Sequence, residues 1–173
     1  MKKLLASFLI IFLFSTNIVF SEQKIAFIDM DKVISTSNAG SSILKQLTDL
    51  NNKNLQFLKN EEKKFKKKET KLISQKNIIS EADFQNKVNE LKSEIKNYNQ
   101  NRDKMINEFN KLKVDNTNNL LKLINPILLK FSDDKEISIV LQKKDLVVAK
   151  TELDITEDII KIVNAEIKEI KIK

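Results

Sequence analysis

The sequence predicts an α+β protein in which a long antiparallel helical hairpin is inserted into a small β-rich body. Between the only glycine, Gly40, and the only proline, Pro126, 85 residues run without either helix breaker. Since these two residue types cost a helix interior about 1 and about 3 kcal/mol, such a run is typical of long helices. Short apolar segments typical of strands flank it on both sides. We therefore expect a body made of residues 22–40 and 127–173, and an arm made of residues 41–126.

The N-terminal residues have the layout of a secretory signal peptide. Two lysines precede an apolar run at residues 4–14, and residues 19–21 offer a cleavage site. A membrane anchor is the alternative, but this run would cover only about 16 Å of a hydrocarbon layer about 30 Å thick. We expect residues 1–21 to direct export and to be removed, so that the mature chain starts near Glu22.

The first strand of the body is expected in the segment Lys24–Met30, which reads KIAFIDM. Asp31 then stands where a helix starting at Lys32 or Val33 would take an N-cap, because its carboxylate can accept a hydrogen bond from a free backbone N–H group. Asp29 and Asp31 are also the obvious pair of carboxylates for metal binding or acid–base catalysis. Capping is the interpretation that we favour.

The first arm helix is predicted from a ladder of positions seven residues apart. These positions are Leu44, Asn51, Leu58, Phe65, Leu72 and Ile79. Their companion positions in the heptad are mostly polar, so this seam is thin. With about 37 residues, the helix would be about 55 Å long.

A turn near residues 77–80 is expected to fold the arm back on itself. Ser80 fits an N-cap with the acidic Asp83 three positions later, and the apolar pair Ile78 and Ile79 precedes it. One uninterrupted helix is the alternative, which the capping motif disfavours. Because the hairpin buries only a narrow apolar strip, we expect its tip to be mobile.

The second arm helix has the richer seam, because its apolar positions alternate steps of three and four residues over more than five heptads. The seam positions are Phe84, Val88, Leu91, Ile95, Tyr98, Arg102, Met105, Phe109, Leu112, Asn116, Asn119 and Leu123. Three of the seam positions after Tyr98 are polar, namely Arg102, Asn116 and Asn119. The pattern predicts an antiparallel coiled coil.

Two further strands and a final helix are expected after the arm. The segments Ile137–Leu141 and Leu146–Ala149 are predicted to be strands joined by a loop at Lys143–Asp145. Either Asp154 or Thr156 can cap the helix that follows. Its apolar face is expected at Ile159, Ile160, Val163, Ile167 and Ile170.

The positive charge of the chain is concentrated in the arm. Residues 41–125 carry 18 Lys and Arg against 11 Asp and Glu, whereas the rest of the mature chain carries 11 against 13. The densest run contains Lys59, Lys63, Lys64, Lys66, Lys67, Lys68 and Lys71. Such a run can be a solvated helix face and nothing more, or a surface that attracts acidic partners or anionic lipid. Nucleic acid is not an expected partner of an exported protein.

Composition argues against catalysis. The chain has neither histidine nor cysteine, so the commonest general base, the commonest metal ligand and the best thiol nucleophile are all missing. We expect no enzyme, no cofactor, no metal site and no disulfide. A body of about 67 residues without these supports is near the limit of independent stability, so we expect a homo-oligomer joined through the bodies.

Both ends of the mature chain resemble those of the Skp/OmpH family of periplasmic chaperones. The resemblance is carried by Ile25–Met30 with Val33, Ile34, Ser37, Ala39 and Gly40, and by Val147–Ala149 with Leu153–Thr156, Ile159 and Ile160. It implies a periplasmic homotrimer whose helical arms enclose a cavity for unfolded outer-membrane proteins, without ATP and without catalytic residues. It also implies contacts with anionic lipid or lipopolysaccharide, although lysine supplies 17 of the 18 positive residues of the arm and lacks the bidentate fork of arginine.

Four apolar residues of the arm lie off the predicted seam and are candidates for lining such a cavity. They are Phe57, Ile73, Ile78 and Ile106. The alternative is that they pack between the arm helices in a slightly different register. Together with the seven lysines, they form the candidate surface for clients or anionic partners.

Two other classes of protein would also fit parts of this sequence. An envelope coiled coil that acts as a spacer would explain the seam and the export signal, but not the basic charge of the arm. A protein that binds anionic membrane surfaces would use the lysine run, but its apolar stripe is thin for an interfacial helix.

Overall fold

The computed structural model describes residues 23–172, so the predicted signal peptide lies outside the described residues. The elements, in chain order, are β1 (Lys24–Ile28), α1 (Met30–Thr36), α2 (Asn38–Gln75), α3 (Glu81–Lys135), β2 (Ile137–Gln142) and α4 (Thr156–Glu166). Two short 3-10 turns lie at Lys143–Asp145 and Thr151–Leu153. Helices α2 and α3 form the predicted hairpin, which connects the two strands.

The strands β1 and β2 pair in parallel, with Lys24 opposite Ile137 and Ile28 opposite Gln142. Parallel strands need a long crossover connection, and the whole helical hairpin is that connection. On the other side of β1, the Ile155 N–H donates to the Phe27 carbonyl at 3.0 Å. The pairing of β1 with β2 confirms the first two predicted strands.

The third predicted strand is wrong for the single chain. Residues 146–149 carry no strand, and Lys143–Asp145 is a 3-10 turn instead of a hairpin loop. Val147 and Val148 are 100% and 88% exposed, so this apolar segment packs against little of its own chain. Its β-branched composition predicted a strand, but composition cannot supply a partner.

Helix α1 begins at Met30, earlier than expected, because the N-cap is Asp29 and not Asp31. The Asp29 carboxylate accepts a hydrogen bond from the Lys32 N–H at 2.9 Å. The backbone N–H of Asp29 in turn donates to the Thr156 hydroxyl at 2.9 Å. Asp31 is an exposed residue of the first turn, where an acidic side chain also favours the helix dipole.

The sequence pattern indicated that Gly40 and Pro126 mark the ends of the arm. In the structure, both residues lie inside helices. Gly40 lies in the first turn of α2, where an added Cβ would come within 1.6 Å of the Ile34 carbonyl oxygen. Pro126 lies inside α3, which continues to Lys135. Its neighbours Ile124 and Ile127 are buried, and burial of about 1.5–3 kcal/mol for each of them offsets the roughly 3 kcal/mol cost of an interior proline.

The predicted turn of the hairpin is confirmed. Helix α2 ends at Gln75 and α3 begins at Glu81. The Ser80 hydroxyl accepts a hydrogen bond from the Asp83 N–H at 3.1 Å and lies 2.6 Å from the Asp83 carboxylate, to which it donates. This cap satisfies a backbone group that would otherwise be free at the start of the longest helix.

The seam of the hairpin follows the prediction near the tip and departs from it near the body. On α2, the predicted positions 58, 65 and 72 are half-buried, as is Ile79 in the turn, but Leu44 and Asn51 are exposed and Ile43 and Leu47 are buried in their place. On α3, the predicted positions Asn119 and Leu123 are exposed, whereas Leu120 and Ile124 are fully buried. The two helices therefore rotate slightly where they enter the body.

The body core explains this rotation. Ile43 and Leu47 of α2 and Leu120 and Ile124 of α3 pack into one cluster with residues of β1, α1 and α4. Near the body these helices must face a third and a fourth element, and steps of four residues from Asn116 to Ile124 turn the apolar face toward them. The roots of the arm are thus part of the body core.

The C-terminal helix and tail close this core. Ile159, Ile160 and Val163 are buried as predicted, but α4 ends at Glu166, so the half-buried Ile167 and Ile170 lie in an extended tail. The tail is held by the side chain of Gln46, whose amide donates to the Ile170 carbonyl at 2.7 Å and accepts from the Ile172 N–H at 3.2 Å. This amide pairs with the tail as a neighbouring strand would.

Candidate functional site

The lysine run lies along the exposed surface of α2. Two of its seven members form ion pairs, since Lys64 lies 2.6 Å from Glu61 and Lys68 lies 2.5 Å from Glu94 across the hairpin. None of the other five forms an ion pair with another described residue. Those five form what we call the basic face: Lys59, Lys63, Lys66, Lys67 and Lys71.

The four off-seam apolar residues are exposed, as expected, but they do not form one patch. Phe57 is 49% and Ile106 is 47% exposed. Phe57 precedes the seam residue Leu58, whereas Ile106 follows the seam residue Met105, and in an antiparallel pair these positions lie on opposite flanks. Ile73 and Ile78, at 64% and 78% exposure, lie near the tip.

Phe57 lines a groove between the two arm helices, which we call the arm groove. Its volume is about 330 Å³, and it also exposes the Phe65 and Tyr98 rings and the side-chain amides of Asn97 and Asn101. The Phe65 and Tyr98 rings pack edge to face across the hairpin, with centroids 5.3 Å apart. Sequence reasoning placed Phe65 and Tyr98 in the seam but did not identify the groove, because its two walls come from segments about 35 residues apart in the chain.

The Tyr98 hydroxyl anchors the groove wall. It lies 3.3 Å from the Glu62 carboxylate and 3.5 Å from the Leu58 carbonyl. Burial of the phenol, and then the neighbouring Glu62 charge, raise the pKa of Tyr98 above its usual value of 10.0. The phenol therefore stays protonated at neutral pH and donates to α2 across the hairpin.

A second surface feature lies on the body. A cavity of about 530 Å³ opens between β1, the end of α3 and the turn at Thr151–Leu153, and Ile25, Phe131 and Leu153 contribute apolar walls. Together with the exposed segment 146–149, it leaves much of the apolar surface of the body uncovered in the single chain.

Polar contacts fix the geometry of the body beneath this surface. The Asp154 carboxylate accepts hydrogen bonds from the Thr156 N–H at 3.0 Å and from Lys143 at 3.4 Å. Burial alone would raise the pKa of Asp154, but the hydrogen bonds from Thr156 and Lys143 outweigh it and lower that pKa below 3.8. On α1, the ion pair with Glu157 at 2.6 Å raises the pKa of Lys32.

Within residues 23–172, no group of three or more acidic side chains is placed to hold a metal ion. Over the same residues, no helix combines the length and apolar character needed to cross a membrane. Asp29, one of the two carboxylates considered for acid–base chemistry, is instead the cap of α1. The candidate surface of lysines and off-seam apolar residues is carried on a long hairpin.

Comparison with known proteins decides the family. A family model described as outer membrane protein (OmpH-like) matches residues 24–163, which is most of the chain. The chain belongs to the OmpH-like family. The match runs from the first strand into the last helix, so it covers the whole arm and most of the body of this OmpH-like protein.

Solved structures agree on the fold. A candidate outer membrane chaperone (OmpH-like) from Caulobacter crescentus CB15 superposes with a TM-score of 0.80 at 13% sequence identity, over 87% of this chain and 89% of that chain. The comparison with curated proteins finds no match. Family membership supports a general chaperone role for this OmpH-like protein, in a family that is generally non-enzymatic.

Proposed function

We propose that this OmpH-like protein is an ATP-independent holdase of the periplasm that binds unfolded outer-membrane β-barrel proteins between its arms and prevents their aggregation. The observation that carries the proposal is the long hairpin of α2 and α3, which extends from a small body in a chain of this family. Between the body and the tip, the two helices of the hairpin pack against each other and against no other element within residues 23–172. Such an arm can bend to accommodate clients of different size.

The charge of the arm supports an electrostatic first contact. Five lysines of the basic face lack carboxylate partners among the described residues, and the arm as a whole carries a net charge of +7. A field of this kind raises the association rate of acidic partners and weakens with salt. The same field attracts anionic lipid or lipopolysaccharide, which we propose as secondary partners.

The off-seam apolar residues support retention of the client. Phe57, Ile73, Ile78 and Ile106 each expose between 47% and 78% of their surface, on both flanks of the hairpin and near its tip. Weak apolar contacts spread along an arm can hold an unfolded chain without trapping it, because each contact breaks independently. We therefore propose that clients remain mobile while bound.

A homotrimer would make a cavity out of separate arms. The exposed apolar surface of the body, including Ile25, Val147 and Val148, is the part of the molecule suited to subunit contacts. In a trimer, the segment at residues 146–149 could gain from a neighbouring subunit the strand partner that it lacks in the single chain. Three arms extending from one body would then surround a shared space.

The proposal is tested by diluting an unfolded outer-membrane β-barrel protein from urea with and without the mature chain, residues 22–173. We expect light scattering from aggregates to be suppressed at about one trimer per client, and to the same degree without ATP. An unfolded helical protein of low net charge serves as the control client and should be protected less. Aggregation of the barrel protein at an unchanged rate would contradict the proposal.

A further inference from the structure

We propose that the arm groove is a binding site for an aromatic side chain carried on an extended, unfolded polypeptide segment. This deepens the proposed function and rests on it, because it names the chemistry that one arm recognises. The groove is the one place on the arm where rings from both helices meet a half-exposed phenylalanine, since Phe57, Phe65 and Tyr98 all line it. An incoming ring can pack against Phe57 and the Phe65–Tyr98 pair in the edge-to-face arrangement that this pair already adopts.

The charge of the groove rim selects for an uncharged occupant. Lys64 and Lys68 lie on the rim, but Glu61 and Glu94 hold them at 2.6 and 2.5 Å. A phosphate or carboxylate that entered the groove would meet the Glu61 and Glu94 carboxylates as well as the two ammonium groups, so the rim offers it little net attraction. Since the five lysines of the basic face carry no such partners, anionic groups are attracted there, and the groove is left for neutral side chains.

The dimensions of the groove fit a short extended segment. Its wall on α2 runs from Phe57 to Lys68, which is a rise of about 16 Å at 1.5 Å per residue. An extended chain covers this length with about five residues at about 3.3 Å each. Two or three of their side chains would face the groove, because alternate residues of an extended chain point to the same side.

The amides of the groove suit the backbone of such a segment. Asn97 and Asn101 lie one turn apart on α3 and both line the groove. A side-chain amide offers both a donor and an acceptor, so each can pair with the peptide groups of an extended chain as Gln46 pairs with the tail of this protein. Transmembrane β-strands alternate apolar and polar residues and carry aromatic residues near their ends, so an unfolded barrel supplies segments of the required pattern.

The test uses the mature full-length chain and a fluorescent peptide of about ten residues in which phenylalanine alternates with threonine, the length of one barrel strand. Binding is measured by fluorescence anisotropy for the wild type, for Phe57→Ala and for Leu55→Ala. Leu55 is the matched control, because it lies on the same helix and is similarly exposed, at 55%, but does not line the groove. We expect Phe57→Ala to weaken binding by about fivefold or more, and Leu55→Ala to weaken it less than twofold.

Two further measurements identify the side chain or ligand that occupies the groove. A peptide with leucine in place of phenylalanine should bind the wild type more weakly and lose its sensitivity to Phe57→Ala. Vesicles of anionic lipid should not displace the aromatic peptide. Displacement by vesicles, or equal losses in Phe57→Ala and Leu55→Ala, would overturn the groove as an aromatic site.

The groove and the proposed function can fail separately. If the wild type suppresses aggregation of the barrel protein while Phe57→Ala leaves peptide binding unchanged, the groove is refuted and the holdase proposal stands. If peptide binding depends on Phe57 but aggregation is not suppressed, the groove is supported and the holdase proposal is refuted. Since Phe57 lies off the seam and is half exposed, the thermal melting of Phe57→Ala should match that of the wild type.

Discussion

Gly40 sets how closely α1 and α2 can approach each other. A Cβ atom added to Gly40 would lie only 1.6 Å from the Ile34 carbonyl oxygen. We expect Gly40→Ala to lower the free energy of unfolding by about 2 to 3 kcal/mol, because backbone must move, even though alanine gains about 1 kcal/mol in helix propensity.

Urea unfolding followed by circular dichroism, at one fixed protein concentration, measures this loss. Asn52→Ala is the control, since Asn52 is an exposed residue of the same helix and its replacement should be neutral or slightly stabilising. Equal stability of Gly40→Ala and wild type would show that α1 and α2 can separate without cost.

Asp154 is the residue whose titration should appear in the acid stability of the body. Because its native pKa lies below 3.8, its carboxylate stabilises the fold above that pH and loses this contribution as the pH falls through the native pKa. Asp154→Asn keeps an acceptor for the Thr156 N–H but loses the charge, so we expect a loss of about 1 kcal/mol at pH 7.

The pH dependence separates this effect from a general structural defect. The difference in unfolding free energy between wild type and Asp154→Asn should stay constant from pH 7 to pH 5 and shrink below about pH 3.8. A difference that persists unchanged at lower pH would mean that the charge of Asp154 is not its cause.

Residue-level prediction from the sequence succeeded where the signal is local. The cap at Ser80 needs only a serine and an acidic residue three positions later, and the structure has that contact. The roles of Gly40 and Asp29 depend on what packs against them, namely Ile34 and Thr156. Helix-breaker statistics assigned Gly40 and Pro126 to boundaries because they contain no information on tertiary contacts.

At the scale of elements, the hairpin depends on a short cap at its least packed end. The turn between α2 and α3 buries little, and Ile78 is 78% exposed. Ser80→Ala removes the cap of α3, which should cost about 1 kcal/mol and increase fraying of its first turn.

Hydrogen exchange resolved by mass spectrometry can locate this effect. We expect faster exchange in peptides covering residues 76–88 of Ser80→Ala and unchanged exchange in peptides from α1 and α4. Ser74→Ala is the control, since its hydroxyl donates only to the Lys71 carbonyl within α2. Unchanged exchange at the tip would show that the turn is held by other contacts.

The seam shows how far periodicity predicts the packing of elements. A seven-residue period describes the arm where two helices face only each other, and positions 58, 65, 72 and 79 follow it. It fails from Asn116 toward the body, where Leu120 and Ile124 are buried instead of Asn119 and Leu123. A helix that must contact several elements takes its register from all of them.

At the scale of the whole molecule, we propose that the basic face attracts the client and that the off-seam apolar residues retain it. We expect replacement of the five lysines of the basic face by glutamine to slow association with an acidic unfolded barrel protein and to remove most of its salt dependence, without changing the melting temperature. Stopped-flow fluorescence at about 0.05 and about 0.5 M sodium chloride measures both effects.

The control removes the same number of charges from the other arm helix. It replaces by glutamine five exposed lysines of α3: Lys87, Lys92, Lys96, Lys111 and Lys113. If both quintuple variants slow association equally, the net charge of the arm matters and its distribution does not.

The overall architecture was largely predictable, and the client site was not. A breaker-free basic stretch between strand-like ends predicted the α+β fold with its inserted hairpin. The arm groove brings Phe57 and Asn101 together across the hairpin, and a contact of this kind depends on the relative rotation of two helices. The exposed segment at residues 146–149 remains unpaired in the single chain, where the sequence predicted a strand.

Light scattering coupled to size-exclusion chromatography, with and without an unfolded outer-membrane barrel protein, tests the central claim most directly. We predict that the mature chain elutes with three times its own mass, and that with client it forms a complex of one client per trimer. A monomer alone, or a client that elutes separately from the intact trimer, would contradict the proposal that the arms of a trimer hold an unfolded chain.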